Sequence, residues 1–314
     1  MNIRGVTLSG QAEGKVPMAA GSVGQGATLL HLDDLIAEKS PTRTHNEPLR
    51  YWECHGSATE MPFTASVRIF GPEGVSARHR HTFEQIRYVL GGSMTFGRGL
   101  VAGEGDCVYF PEGEFYGPTT YDSGCVFLIQ WRGPSEKGLH LEVGQLREFV
   151  AKLKASGGST DPASGGEWKH ADGRHQDVVE AAQELYTGGE VEYAPSRYNG
   201  QIIVRGNQFA ALPVSGAAGV RVRHLGYFNE VGPNVKVLDF EPAGILPAAT
   251  TRSQQLWMVV KGELDYDGAV YETRSMIYMP PGTARAEIRA DEFAKAVVVH
   301  LRTPSGPEMP FSEF

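Results

Sequence analysis

His79 and His81 sit one residue apart, and Glu84 and Gln85 follow them closely. Imidazoles at i and i+2 of an extended chain point to the same face, so the pair can bind one ion together. An oxygen from Glu84 or Gln85 would close the third side. Imidazole and oxygen donors suit Fe, Mn, Ni, Zn or Cu. Without further context, Arg78-His79-Arg80-His81 would read equally well as a solvated basic strand. Arg87 lies two residues after Gln85 and shares its face on a strand. An arginine pointing into an apolar interior is costly unless it meets an anion. Arg87 is therefore a candidate for holding a substrate carboxylate in bidentate fashion. The plainer alternative is a rim residue pairing with Glu84 or Asp106.

The surroundings favour the site. Phe70-Gly71-Pro72-Glu73-Gly74 precedes the histidines and Ile86-Arg87-Tyr88-Val89-Leu90-Gly91-Gly92 follows. Gly105-Asp106-Cys107-Val108-Tyr109-Phe110-Pro111-Glu112-Gly113 comes next. Short β-rich runs closed by Gly or Pro are the signature of all-β barrels and sandwiches. Residues 74–92 and 105–116 resemble the two motifs of the cupin family, G…HxHxxxE…G and G-D-x4-P-x-G-x-x-H. The resemblance covers about two-thirds of the chain. It implies double-stranded β-helix (jelly-roll) barrels and a metal held by His79, His81 and a third residue. The spacing Gln85-x6-Gly92 puts Gln85 at the family's carboxylate position, and Glu84-x6-Gly91 is the competing register. The second motif's histidine falls on Tyr116, which leaves that residue to ligate, to hydrogen-bond a bound oxygen or to act as acid and base. A barrel aromatic with a satisfied hydroxyl is the neutral alternative.

The chain also resembles itself. At a shift of about 170 residues, Phe70, Pro72 and Gly74 fall on Phe240, Pro242 and Gly244. Gln85, Gly92 and Phe96 fall on Gln255, Gly262 and Tyr266, and residues 108–113 fall on 277–282 after a one-residue deletion. A duplicated β unit accounts for this, so two barrels are expected. In the second copy Ala249 and Thr251 replace the histidines and Arg285 replaces Tyr116. That copy is expected to bind no metal and to serve as structure, as interface or as a vestigial pocket. Gln255 and Arg285 leave it a possible contact for an anion.

Composition removes several classes. With 41% hydrophobic and 21% charged residues this is an ordinary globular chain. A net charge of -8 and no basic stripe argue against nucleic acid. Three cysteines, Cys54, Cys107 and Cys125, give no disulfide framework and fit a reducing cytoplasm. No leader-like start and no membrane-length apolar run are apparent. Walker-type, dinucleotide-binding and GxSxG patterns are lacking.

The expected organisation is an arm over 1–49, a metal-binding barrel over 50–133, a connector over 134–189, and a metal-free barrel and tail over 190–314. Leu29–Ala37 reads as a short helix, Phe63–Phe70 as an alternating strand, Val143–Leu153 and His175–Tyr186 as helices, and 155–174 as a loop. Met309-Pro310-Phe311 reads as an apolar docking tail. The resemblance implies a metal-dependent oxidoreductase, with Fe(II) the expected ion and a small organic acid or phenol as substrate. It would be an oxygenase of dioxygenase type. Tyr116 and Arg87 would be its catalytic side chains, and a homodimer covering exposed sheet edges is expected. The rivals are a redox-neutral isomerase, lyase or cyclase on Zn, Ni or Mn, and a non-catalytic small-molecule-binding protein.

Overall fold

The computed structural model describes residues 21–23, 27–31, 34–35, 38–39, 48–57, 60–70, 75–97, 99–135, 138–160, 165, 167–229 and 232–301. Residues 1–20 of the expected arm and the expected tail at 309–311 lie outside these residues. The described residues fall into two compact units, one within Ala37–Ala210 and one combining residues from Ala211 onward with the strands Gly21–Val23 and Ala27–His31. Both are antiparallel β barrels of jelly-roll type.

In the N-terminal unit the central hairpin pairs two long strands, Phe83–Phe96 and Thr119–Arg132. The strand Phe63–Phe70, expected from its alternation, pairs with the second of these, and Cys107–Phe110 pairs with the first. The hairpin must bend to close a barrel. Its register shifts between Asp122 and Cys125, opposite Gly91, and a Cβ on Gly124 would stand 3.3 Å from the Gly91 and Ser93 carbonyls. Bulges and glycines at such corners let the sheet turn. The strand Ile202–Val204 adds to the edge at Cys107–Phe110. Val89, Phe96, Val108, Phe110 and Val126 form the barrel core.

The connector folds onto this barrel. The helix Val143–Ala155 starts with a Glu142/Gln145 capping box. The helix Val178–Thr187 starts at Asp177, whose carboxylate accepts the Val179 and Glu180 N–H groups, and ends at Gly188 in the left-handed region. The cap corrects the expected start at His175: His175–Asp177 is a strand. Residues 155–174 are not one loop either. Ser159–Thr160 and Glu167–Lys169 pair in a small sheet with His175–Asp177, and Trp168 is fully buried among both helices and Phe83. One large apolar side chain outweighs the Gly/Ser-rich composition around it.

The second unit repeats the plan. Its sheet runs Ser275–Met279, Gln254–Lys261, Ala294–Leu301, Asn234–Phe240, Val220–Tyr227. The expected helix over Leu29–Ala37 is overturned: Ala27–His31 is a strand on the Ser275–Met279 edge, with Leu29 and Leu30 buried. Residues 32, 33, 36 and 37 lie outside the described set. An open sheet edge offers a full ladder of backbone hydrogen bonds, and that outweighs a short helical pattern. The duplication holds at the level of single hydrogen bonds. His79 bridges Tyr116 as Ala249 pairs with Arg285. Gly113 N–H donates to His81 O and Gly282 N–H to Thr251 O, both at 2.8 Å. Among the described residues no helix is long and apolar enough to cross a membrane.

Candidate functional site

The loop after Phe110 is tied to the histidine segment by backbone bonds. His79 N–H donates to Tyr116 O at 3.0 Å and Tyr116 N–H donates to His79 O at 2.8 Å. Gly113 makes the turn at φ +76°, and a Cβ there would stand 2.0 Å from Ala194 O. Only glycine fits. The Tyr116 ring is thereby held against both histidines, with ring centroids 4.4 Å from His79 and 5.7 Å from His81.

The strand Phe83–Phe96 supplies the rest. Gln85 and Arg87 project to the same face and both are buried. Gln85 Nε2 donates to Tyr116 Oη at 3.2 Å and Arg87 Nη2 donates to it at 3.0 Å. Arg87 Nη2 also donates to Gln85 Oε1 at 3.1 Å, and Nη1 to Tyr121 Oη at 3.4 Å. Two donors already face the Tyr116 oxygen, so its own proton points to His81 Nε2, 2.8 Å away. His79, His81, Gln85, Arg87 and Tyr116 therefore come together, all less than a tenth exposed.

Glu84 does not join them. It lies on the opposite face of the strand and accepts a short hydrogen bond from Tyr109 Oη. Of the two candidate oxygens, only Gln85 faces the histidines. Among the described residues no three His, Cys, Asp or Glu side chains converge. The cluster's one full charge is then the Arg87 guanidinium, stacked 4.4 Å over Phe110 and 5.2 Å over Tyr116. Its Nε has no hydrogen-bond partner. A buried cation with an idle donor favours an anion beside it.

The donor set fits a divalent ion on one observation in particular. His79 Nδ1 lies 2.6 Å from the Ala77 carbonyl. A carbonyl can only accept, so Nδ1 carries the hydrogen and Nε2 the lone pair, the arrangement that presents an imidazole to a metal. His81 Nε2, Gln85 Oε1 and Tyr116 Oη are the other donors. No carboxylate is among them, which leaves the charge to be balanced by an anionic ligand or by Tyr116 as phenolate.

Three further neighbours complete the surroundings, of which only Phe110 lay in a stretch that the sequence singled out. Tyr121 stacks on Phe70 at 3.5 Å and holds Arg87. Phe110 supplies the face beneath the guanidinium. His140 stands edge-on to Phe83 at 5.2 Å, and Phe83 stacks on His81 at 4.3 Å. Burial pushes His140 down to about 4, so it is neutral at pH 7. Each is long-range in sequence, and the repeat copies none of them. Gln130, opposite Gln85 in the ladder, is half-buried. His55 pairs with Glu142 at 2.8 Å, and His45 lies outside the described residues.

No family model and no curated protein matches the chain. Solved structures do. A provisionally named dioxygenase from Nostoc punctiforme superposes with a TM-score of 0.59 at 12% identity, over 93% of this chain and 88% of that one. Protein Ylba from E. coli gives 0.55 at 13% identity over 93% and 97%. Oxalate decarboxylase from Bacillus subtilis, a protein described with Mn(II) centres, gives 0.53 at 13% identity over 93% and 80%. These likenesses show the fold alone, two jelly-roll barrels in one chain, as the cupin resemblance of the sequence implies.

Proposed function

We propose that the chain is a metal-dependent oxidoreductase of dioxygenase type, acting on a small organic acid or phenol in its N-terminal barrel. The reading rests on the convergence of His79, His81, Gln85 and Tyr116 beside a buried guanidinium. Fold neighbours that include a provisionally named dioxygenase and a manganese-containing decarboxylase support the class. Fe(II) is the ion we favour, with Mn, Ni, Zn and Cu as its competitors. When bound, the ion supplies a Lewis-acidic centre with open positions for substrate and O₂.

The chain's own residues do the rest. Arg87 receives the substrate's carboxylate or phenolate, and its idle Nε gives it a further donor for that purpose. Phe110 and Tyr121 keep the guanidinium in place, which limits the entropy lost on binding. Tyr116 holds a proton directed at His81 Nε2. Presenting that nitrogen to a cation would require the Tyr116 hydroxyl to turn its hydrogen away. The Arg87 and Gln85 N–H groups hold the Tyr116 oxygen in place beside the histidines.

A second reading, a binding protein without catalysis, is favoured by one observation: Arg87 already bonds the Gln85 and Tyr116 oxygens that an ion would use. Oxygen-electrode assays on protein reconstituted anaerobically with Fe(II), Mn(II) or Zn(II) separate the cases, using hydroxybenzoates and 2-oxo acids as substrates. We expect iron-dependent O₂ uptake that His79→Ala abolishes. Turnover without O₂, equal with Zn(II), would instead establish redox-neutral chemistry. Ligand binding untouched by His79→Ala in protein that takes up no metal would establish the binding protein.

A further inference from the structure

The C-terminal barrel has a cavity of about 520 Å³ that the proposed chemistry does not use. Its wall carries Lys236, Arg252 and Arg285, and among the described residues no Asp or Glu lines it. Arg285 is the informative one. It is 8% exposed, and its guanidinium donates to the Pro247 carbonyl at 2.5 Å and the Ala286 carbonyl at 3.3 Å. It forms no ion pair with a carboxylate among the described residues. Burial lowers Arg285 to about 10, which leaves it charged at pH 7. A desolvated cation satisfied only by neutral carbonyls favours an anion.

The neighbouring groups define what kind. Gln255 Oε1 accepts the Trp257 indole N–H at 3.0 Å. An indole nitrogen can only donate, so the Gln255 oxygen is the accepting end and its NH₂ group remains for a ligand. Trp257, Leu246 and Val222 give the cavity an apolar wall. The guanidinium lies 5.9 Å over the Trp257 ring. The same three elements exist in the N-terminal barrel with two places exchanged. There the strand gives the guanidinium (Arg87) and the loop gives the aromatic ring (Tyr116). Here the strand gives the ring (Trp257) and the loop gives the guanidinium (Arg285). Gln85 and Gln255 hold the same position in both. What the second barrel lacks is the imidazole pair.

We propose that the C-terminal cavity is a metal-independent binding site for a small carboxylate with a planar apolar body, its carboxylate on Arg285 and Gln255 and its body against Trp257. The site is independent of the proposed chemistry in the other barrel.

The test is calorimetric titration of the full chain with benzoate, and with benzamide as the uncharged isostere, in the presence of EDTA. The Arg87→Gln chain is titrated so that the other barrel's guanidinium does not compete for benzoate, and in it we expect saturable benzoate binding, no benzamide binding and at least a tenfold loss on adding Arg285→Gln. Arg252→Gln, at an exposed position, guards against misfolding of the Arg285 variant and is expected to weaken binding about threefold. In the Arg87→Gln chain, absence of benzoate binding at about 20 mM, equal binding of benzamide, or affinity unaffected by Arg285→Gln would each overturn the proposal.

Discussion

The two barrels share a backbone frame and differ in what it carries. His79 and Tyr116 are bridged as Ala249 and Arg285 are paired, and the same glycine N–H closes the same loop in each. On that frame one barrel holds two imidazoles, a phenol and a guanidinium, and the other a guanidinium and an indole, with Ala249 and Thr251 at the positions of the imidazole pair. Backbone hydrogen bonds and glycine turns thus fix where the side chains point, while the chemistry is set by a handful of exchangeable residues.

The comparison can be strained first by grafting. Tyr116→Arg gives the N-terminal barrel its counterpart's loop residue and sets a second guanidinium beside Arg87. We expect metal retention to be lost and stability to fall by about 3–5 kcal/mol, the usual cost of an uncompensated buried charge. Metal analysis and urea unfolding read both effects.

The shared turn sharpens the contrast next. Gly113→Ala would drive a Cβ to 2.0 Å from Ala194 O, whereas Gly282→Ala, at φ +81°, meets nothing within 4 Å. We expect a loss of about 3 kcal/mol or more for the first and about 1 kcal/mol for the second, since only left-handed strain remains there. Equal losses in denaturant midpoints would show that the two turns are not packed differently.

Burial lowers His140 of the N-terminal unit further than it does His224 of the C-terminal one. The folded pKa of His140 lies below its unfolded value of about 6.5. Its contribution is complete above about pH 6.5 and is lost as pH falls toward 4. That acid loss is on the order of 3 kcal/mol, and His140→Gln should flatten it in unfolding curves recorded across this window.

The smallest effect is expected from Arg87→Met, which leaves the volume and removes the charge. KM for an acidic substrate should rise about tenfold, equivalent to about 1.4 kcal/mol, with little change for a neutral analogue.

Much of this was legible in the sequence because short spacings carry it. His-x-His, the six residues from Gln85 to Gly92, and the recurrence of Phe70 at Phe240 report one strand, one turn and one duplication. The choice of Gln85 over Glu84 was not legible, since adjacent strand residues take opposite faces and only the fold shows which face is inward. Tyr121 and His140 reach the site through sheet pairing and side-chain packing across long stretches of chain, which no local pattern encodes. The strand at Ala27–His31 was misread for the same reason: its partner lies some 250 residues away.

The central claim is that His79 and His81 hold a divalent ion. The direct test is metal analysis of tag-free protein prepared without chelator, for the wild type and a His79→Ala/His81→Ala variant whose fold is checked by circular dichroism. The account predicts about one ion per chain in the wild type and none in the variant. An empty wild type after reconstitution, or equal metal in both proteins, would contradict it.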